Sequence, residues 1–208
     1  HYNFRYVNCW PRPYQNPHPP IWIPSMGLSE TIKWAADPAR KYPFLVTFSS
    51  TELVTRYLKM YADQCRQYGY EPSGNQLGWA SPVYVADTEE RAKEEARAGV
   101  ESLFNDFLAT PFQMLLPPGY MSLPSMKNTM RMRKALGATK RHTIEELMAS
   151  GTVVVGTPKT VRDQLARQRD ATGAQNLVTM LQFGVLPDDL TKRNMEMFAA
   201  EVMPHLRN

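Results

Sequence analysis

Ser25, Gly27, Ser29 and Thr31 are the residues of this chain best suited to hold an anion, and they fall within a single seven-residue stretch. Ahead of them, Ile21-Trp-Ile23 is short, β-branched and aromatic and is bracketed by prolines, which predicts a buried strand. Behind them, Ile32, Ala35 and Ala36 recur with helical spacing. Small polar residues between the end of a strand and the start of a helix leave hydroxyls and backbone N–H groups free to meet an anion. In parallel α/β folds, ligands gather at that end of the strands. The same residues also fit a plainer reading, in which Ser29 does no more than cap the helix.

Other chemistry is sparse. The four histidines, His1, His18, His142 and His205, are scattered, and no Ser-His-Asp or Cys-His set or metal-ligand cluster is apparent, so no metal site is expected. Only His142, at the end of residues 109–142, is placed to enter a site covered by that segment, which makes it the candidate catalytic residue. The segment carries five of the twelve methionines, including Met130, and no acidic residue. Its basic residues include Arg131 and Arg133. Methionines adapt to apolar substrates, and arginines suit phosphate or sulfonate groups. A long insertion on this side of an α/β fold reads either as a lid or as a loosely packed excursion or subunit contact.

The elements that must position these groups follow a regular rhythm. Residues 21–23, 42–48, 79–86 and 177–183 read as strands. Helices are expected near 30–40, from an N-cap signature at Ser49-Ser-Thr-Glu52 to about Tyr68, over 92–108, from Thr157-Pro158 to Gly173, and over 188–205. Strand–helix repeated four times implies right-handed crossovers and a parallel sheet in a single domain spanning 1–208. A net charge of +4 without aromatic-interleaved basic motifs argues against a nucleic-acid partner. No apolar run approaches the roughly 20 residues of a membrane span. No signal peptide is expected, and two cysteines, Cys9 and Cys65, point to a reducing, cytoplasmic setting.

In order and spacing the chain resembles the C-terminal half of the luciferase-like flavin-dependent monooxygenases. The resemblance rests on Pro-His-Pro-Pro-Ile-Trp (17–22), Ser-Glu-Thr-Ile-Lys-Trp-Ala-Ala (29–36) and Val-Gly-Thr-Pro-Lys-Thr-Val (155–161). It continues through Ala-Thr-Gly-Ala-Gln-Asn-Leu (171–177), Leu-Gln-Phe-Gly-Val-Leu-Pro (181–187) and Met-Glu-Met-Phe-Ala-Ala-Glu-Val-Met-Pro (195–204). It implies strands five to eight of a (β/α)8 barrel, with 109–142 as the insertion that folds over a flavin.

The resemblance also implies specific roles. Ser29 and Thr31, with Ser25 and Gly27, would hold the phosphate of FMN. Ile23 and Phe48 would line the ring pocket, although each also reads as plain core, and Gln182 and Gly184 would join them from the matching end of the last strand. The implied reaction is a two-component one: a separate flavin reductase delivers reduced FMN, and O2 gives a C4a-peroxyflavin that oxygenates a small organic substrate. Two alternatives stay open, an F420-dependent oxidoreductase on the same fold and a non-catalytic flavin-binding partner subunit. Strands one to four are absent from the sequence, so a homodimer or a complementary N-terminal half is the expected partner.

Overall fold

The computed structural model describes residues 5–109, 122–135 and 140–206, the side chains of 128 and 132–135 excepted. Five parallel strands make up the sheet: β1 (Ile23–Ser25), β2 (Phe44–Thr47), β3 (Leu77–Val85), β4 (Val154–Gly156) and β5 (Asn176–Met180). The main helices are α1 (Ser29–Ala36), α2 (Thr51–Gln67), α3 (Glu89–Ser102), α4 (Leu123–Ala135), α5 (Ile144–Ala149), α6 (Pro158–Thr172) and α7 (Asp188–Met197).

β3 is the spine. β2 pairs with its first half, Leu77 to Ala80, and β4 with its end, Val83 to Val85. β5 pairs along Gly78 to Pro82. The Phe48 N–H reaches the Ala80 carbonyl and the Ala86 N–H reaches Gly156, so even-numbered backbone groups of β3 face the β2 and β4 flank. Pro82 lies between the last β2 pairing and the first β4 pairing, where a missing N–H costs no ladder bond.

Alternation along β3 divides the core. Trp79, with Phe44 and Val46 of β2, packs under α1 and α2 against Ile32, Leu58, Tyr61 and Cys65. Val83 and Val85, with Val154, meet Val161 and Leu165 of α6 and Phe198 and Val202 near the C-terminus. Tyr84 and Ala86 point the other way, toward Ala92, Ala96 and Val100 of α3, Ile144 and Leu147 of α5, and Phe183. Among the described residues β1, β4 and β5 each pair with one neighbour, and Val178 of β5 is half exposed.

The structure amends the sequence reading at several places. Of the run Ile21–Ile23, expected as a buried strand, only Ile23 enters β1, and Ile21 is exposed. Val154–Gly156 is a strand, not merely the approach to a helix; its three residues are too few to show a period. The last strand stops at Met180, short of Phe183, because Asn194 captures the Leu181 carbonyl at 2.9 Å. Ser50, not Ser49, caps α2: it accepts the Leu53 N–H at 3.4 Å, while the Ser49 hydroxyl turns back to the Thr47 carbonyl. Beyond α3 and α7 the chain widens into π turns, Leu103–Phe107 and Phe198–Val202. Thr157 as N-cap, Pro158 in the first turn and a left-handed Gly173 as stop appear as expected.

Candidate functional site

The site begins where β1 ends. Ser25 is 9% exposed, and its Oγ accepts the Gly27 N–H at 3.1 Å, which tightens the turn. Gly27 has φ +86°, and a Cβ there would lie 2.2 Å from the Tyr57 ring, so the turn is pressed onto α2 at a position only glycine can fill. α1 then starts directly at Ser29. Its N-cap is Leu28, which supplies no side-chain acceptor, so Ser29 is not the cap.

The Ser29 hydroxyl instead serves an anion. It donates to Glu30 Oε2 at 3.1 Å and lies 3.2 Å from Ser125 Oγ of α4. Ser125 Oγ is 2.9 Å from both Glu30 carboxylate oxygens, and the Ser122 N–H reaches Oε1 at 3.2 Å. Hydrogen bonding from Ser122, ahead of opposing burial and of further bonds from its own backbone and Ser125, holds the Glu30 carboxyl down to about 2. Thr31 is half-buried two residues on. Ser29 also borders an open groove of about 330 Å³ between α1 and α2, with Lys33, Met60 and Gln64 in its wall.

A second set of residues gathers around the π turn Leu103–Phe107. Phe48, one residue past β2, has φ +46°, a strained conformation for a residue with a Cβ, and its ring meets Phe104 edge-on at 6.4 Å. Asn105, next in the turn, clamps the backbone of His142: it accepts the His142 N–H at 2.7 Å and donates to the His142 carbonyl at 2.9 Å. Ser102, just before the turn, accepts the Val185 N–H at 3.1 Å. Gly184 has φ +54° and touches the same segment; a Cβ would lie 2.2 Å from the Gly99 carbonyl oxygen.

Ser25, Gly27 and Ser29 are thus brought together, and Phe48, His142 and Gly184 all converge on the end of α3. Ile23 packs against the core under α1 and α2, and Gln182 is exposed past the end of β5. Met130 and Arg131 are exposed on α4; the Arg133 side chain lies outside the described residues, as do 110–121 and 136–139 of the insertion. Sequence reasoning missed Glu30, Ser122 and Ser125 as one cluster, and Phe104 and Asn105 as the hub.

The model of the luciferase-like monooxygenase family matches residues 1–176, and the chain belongs to that family. An uncharacterised protein, y4wF of Sinorhizobium fredii, is 24% identical over 98% of this chain and 53% of its own length. The oxygenating constituent of 3,6-diketocamphane monooxygenase from Pseudomonas putida, a type II Baeyer–Villiger monooxygenase solved with FMN, superposes with a TM-score of 0.63 at 20% identity, over 90% of this chain and 49% of that one. The F420-dependent tetrahydromethanopterin reductase of Methanopyrus kandleri superposes with a TM-score of 0.56 at 18% identity, over 91% and 51%. The chain therefore carries the α/β architecture of the luciferase-like TIM barrels and spans about half the length of these relatives.

Proposed function

We propose that this chain supplies the phosphate-holding half of a two-component, FMN-dependent monooxygenase acting on a small organic substrate with O2. One observation carries the reading: α1 opens at the ligand end of the sheet without a side-chain cap, and its first hydroxyl, Ser29, is already turned to an anion. Ser29 and Thr31, with the turn made by Ser25 and Gly27, would hold the flavin phosphate. Ile23 and Phe48 would flank the ring, and Gln182 and Gly184 would close the far rim. His142, fixed by Asn105, is the proton-handling group in this reading. Met130, Arg131 and Arg133 would meet the substrate from the insertion, residues 109–142.

When bound, the reduced flavin would supply the electrons for oxygen activation. The residues around it would exclude water and orient the substrate. A separate reductase would deliver the reduced cofactor in the cytoplasm, and a homodimer or a complementary N-terminal half would complete the barrel.

The test is a pair of titrations. Ser29→Ala should weaken FMN binding by roughly 1–3 kcal/mol and leave riboflavin, which has no phosphate, nearly unchanged. Equal losses for both ligands would sink the phosphate assignment. The shared fold with an F420-dependent reductase favours a second reading, hydride transfer on the deazaflavin F420. Substrate turnover with reduced F420 and no oxygen uptake would select it over the monooxygenase.

A further inference from the structure

Glu30 links two parts of the chain that are far apart in sequence. Its carboxylate reaches Ser122 and Ser125, 92 and 95 residues away, at the start of α4. The first N–H groups of a helix lack partners within the helix, and a negative charge there is favourable. Ser122 Oγ accepts the Ser125 N–H at 3.4 Å, and Glu30 takes the Ser122 N–H, so the start of α4 is capped partly from within and partly from α1. The insertion holds six basic residues and no acidic one, so it has no carboxylate of its own for this purpose.

The Ser29 hydroxyl has a single hydrogen, which it now donates to Glu30. A phosphate bound by Ser29 would need that same hydrogen, and it would sit beside a like charge.

We propose that Glu30 is the positioning residue that docks α4 on the β1–α1 turn, and that a ligand phosphate competes with it for Ser29. Phosphate binding and helix docking are then coupled at one hydroxyl. The coupling rests on the assignment of Ser29 to the flavin phosphate, whereas the docking does not. The lowered pKa of Glu30 agrees with a carboxylate that stays ionised while docked.

The experiment is amide hydrogen exchange over residues 123–135 in the intact native protein, read alongside FMN and riboflavin affinities. Glu30→Gln and Ser125→Ala should each speed exchange in α4 about tenfold, as expected for the loss of charged hydrogen bonds, while α2 is unchanged. Glu30→Gln should also tighten FMN about threefold by removing a like charge beside the phosphate, with riboflavin unaffected. Unchanged exchange in both variants overturns the docking role. Equal FMN affinity in wild type and Glu30→Gln overturns the competition. If wild type does not distinguish FMN from riboflavin, while Glu30→Gln still loosens α4, the phosphate assignment and the competition both fall and the docking role stands.

Discussion

Asn194 gives Val85 the hydrogen bond that a neighbouring strand would otherwise provide. Its Oδ1 accepts the Val85 N–H at 2.9 Å, and its Nδ2 donates to the carbonyls of Val83 and Leu181, each at 2.9 Å. A carboxamide has the donor and acceptor of a peptide group, so this fully buried side chain extends the sheet past the point where β5 leaves it. Asn194→Ala would strand one N–H and two carbonyls in the core and should cost about 3 kcal/mol, read by urea unfolding. Asn194→Asp keeps the acceptor but sets a carboxylate against two carbonyls, and should be at least as damaging. A loss below 0.5 kcal/mol for both, roughly the level of an ordinary surface change, would rule out this role.

Gly27 and Tyr57 make the turn below Ser29 rigid. Gly27→Ala has to bear a left-handed backbone and a 2.2 Å clash with the ring, which should cost about 3 kcal/mol in thermal unfolding. Tyr57 is itself a core residue, so the double variant is read against Tyr57→Ala alone, where Gly27→Ala should still cost the backbone component but not the clash component. No cost of Gly27→Ala in that background would show that the φ value is unimportant.

The pH dependence of the Glu30 contact has a definite sign. The carboxyl titrates near 4.5 when free and near 2 when held by Ser122 and Ser125. Its stabilisation of the α4 contact is therefore fully present above about pH 4.5 and lost as pH falls through about 2. Exchange in α4, corrected for the intrinsic rate, should stay flat from pH 7 to 5 and rise only well below that. A rise between pH 7 and 5 would point to another titrating group.

Glu89 caps α6 from the start of α3. Its Oε1 accepts the Thr157 N–H at 3.2 Å and the hydroxyls of Thr157 and Thr160 at 2.9 and 2.5 Å. Burial works against its ionisation, but the bonds from Thr160 and Thr157 win and hold its pKa below the ordinary carboxylate value. Glu89→Ala should destabilise the protein by roughly 1 kcal/mol, with faster exchange in the first turn of α6. Glu89→Gln should lose less.

Where neighbouring residues decided the outcome, the sequence was a good guide. Thr157, Pro158 and Gly173 set both ends of α6 by backbone chemistry confined to a few residues. The proline-bracketed run before Ser25 guided less well, since only Ile23 of Ile21-Trp-Ile23 enters β1 and Ile21 is exposed. The candidate turn was legible for the same reason: Ser25, Gly27 and Ser29 lie within five positions of one another. The identity of the cap was not legible, because Leu28 takes that place with no side-chain bond and frees Ser29 for Glu30. β4 escaped notice because three residues carry no period.

By itself, the sequence determined the alternation of apolar strands and amphipathic helices, and with it a parallel sheet whose first described strand leads into the turn from Ser25 to Thr31. That information is local, written in the spacing of side chains and in the caps and glycines that stop each helix. Only the tertiary structure decided which distant groups share a charge or a ladder. Val85 meets Asn194 across 109 residues, Thr157 meets Glu89 across 68, and Ser122 meets Glu30 across 92. A buried amide or carboxylate must find its partners wherever the packed chain puts them, and no local pattern records where that will be.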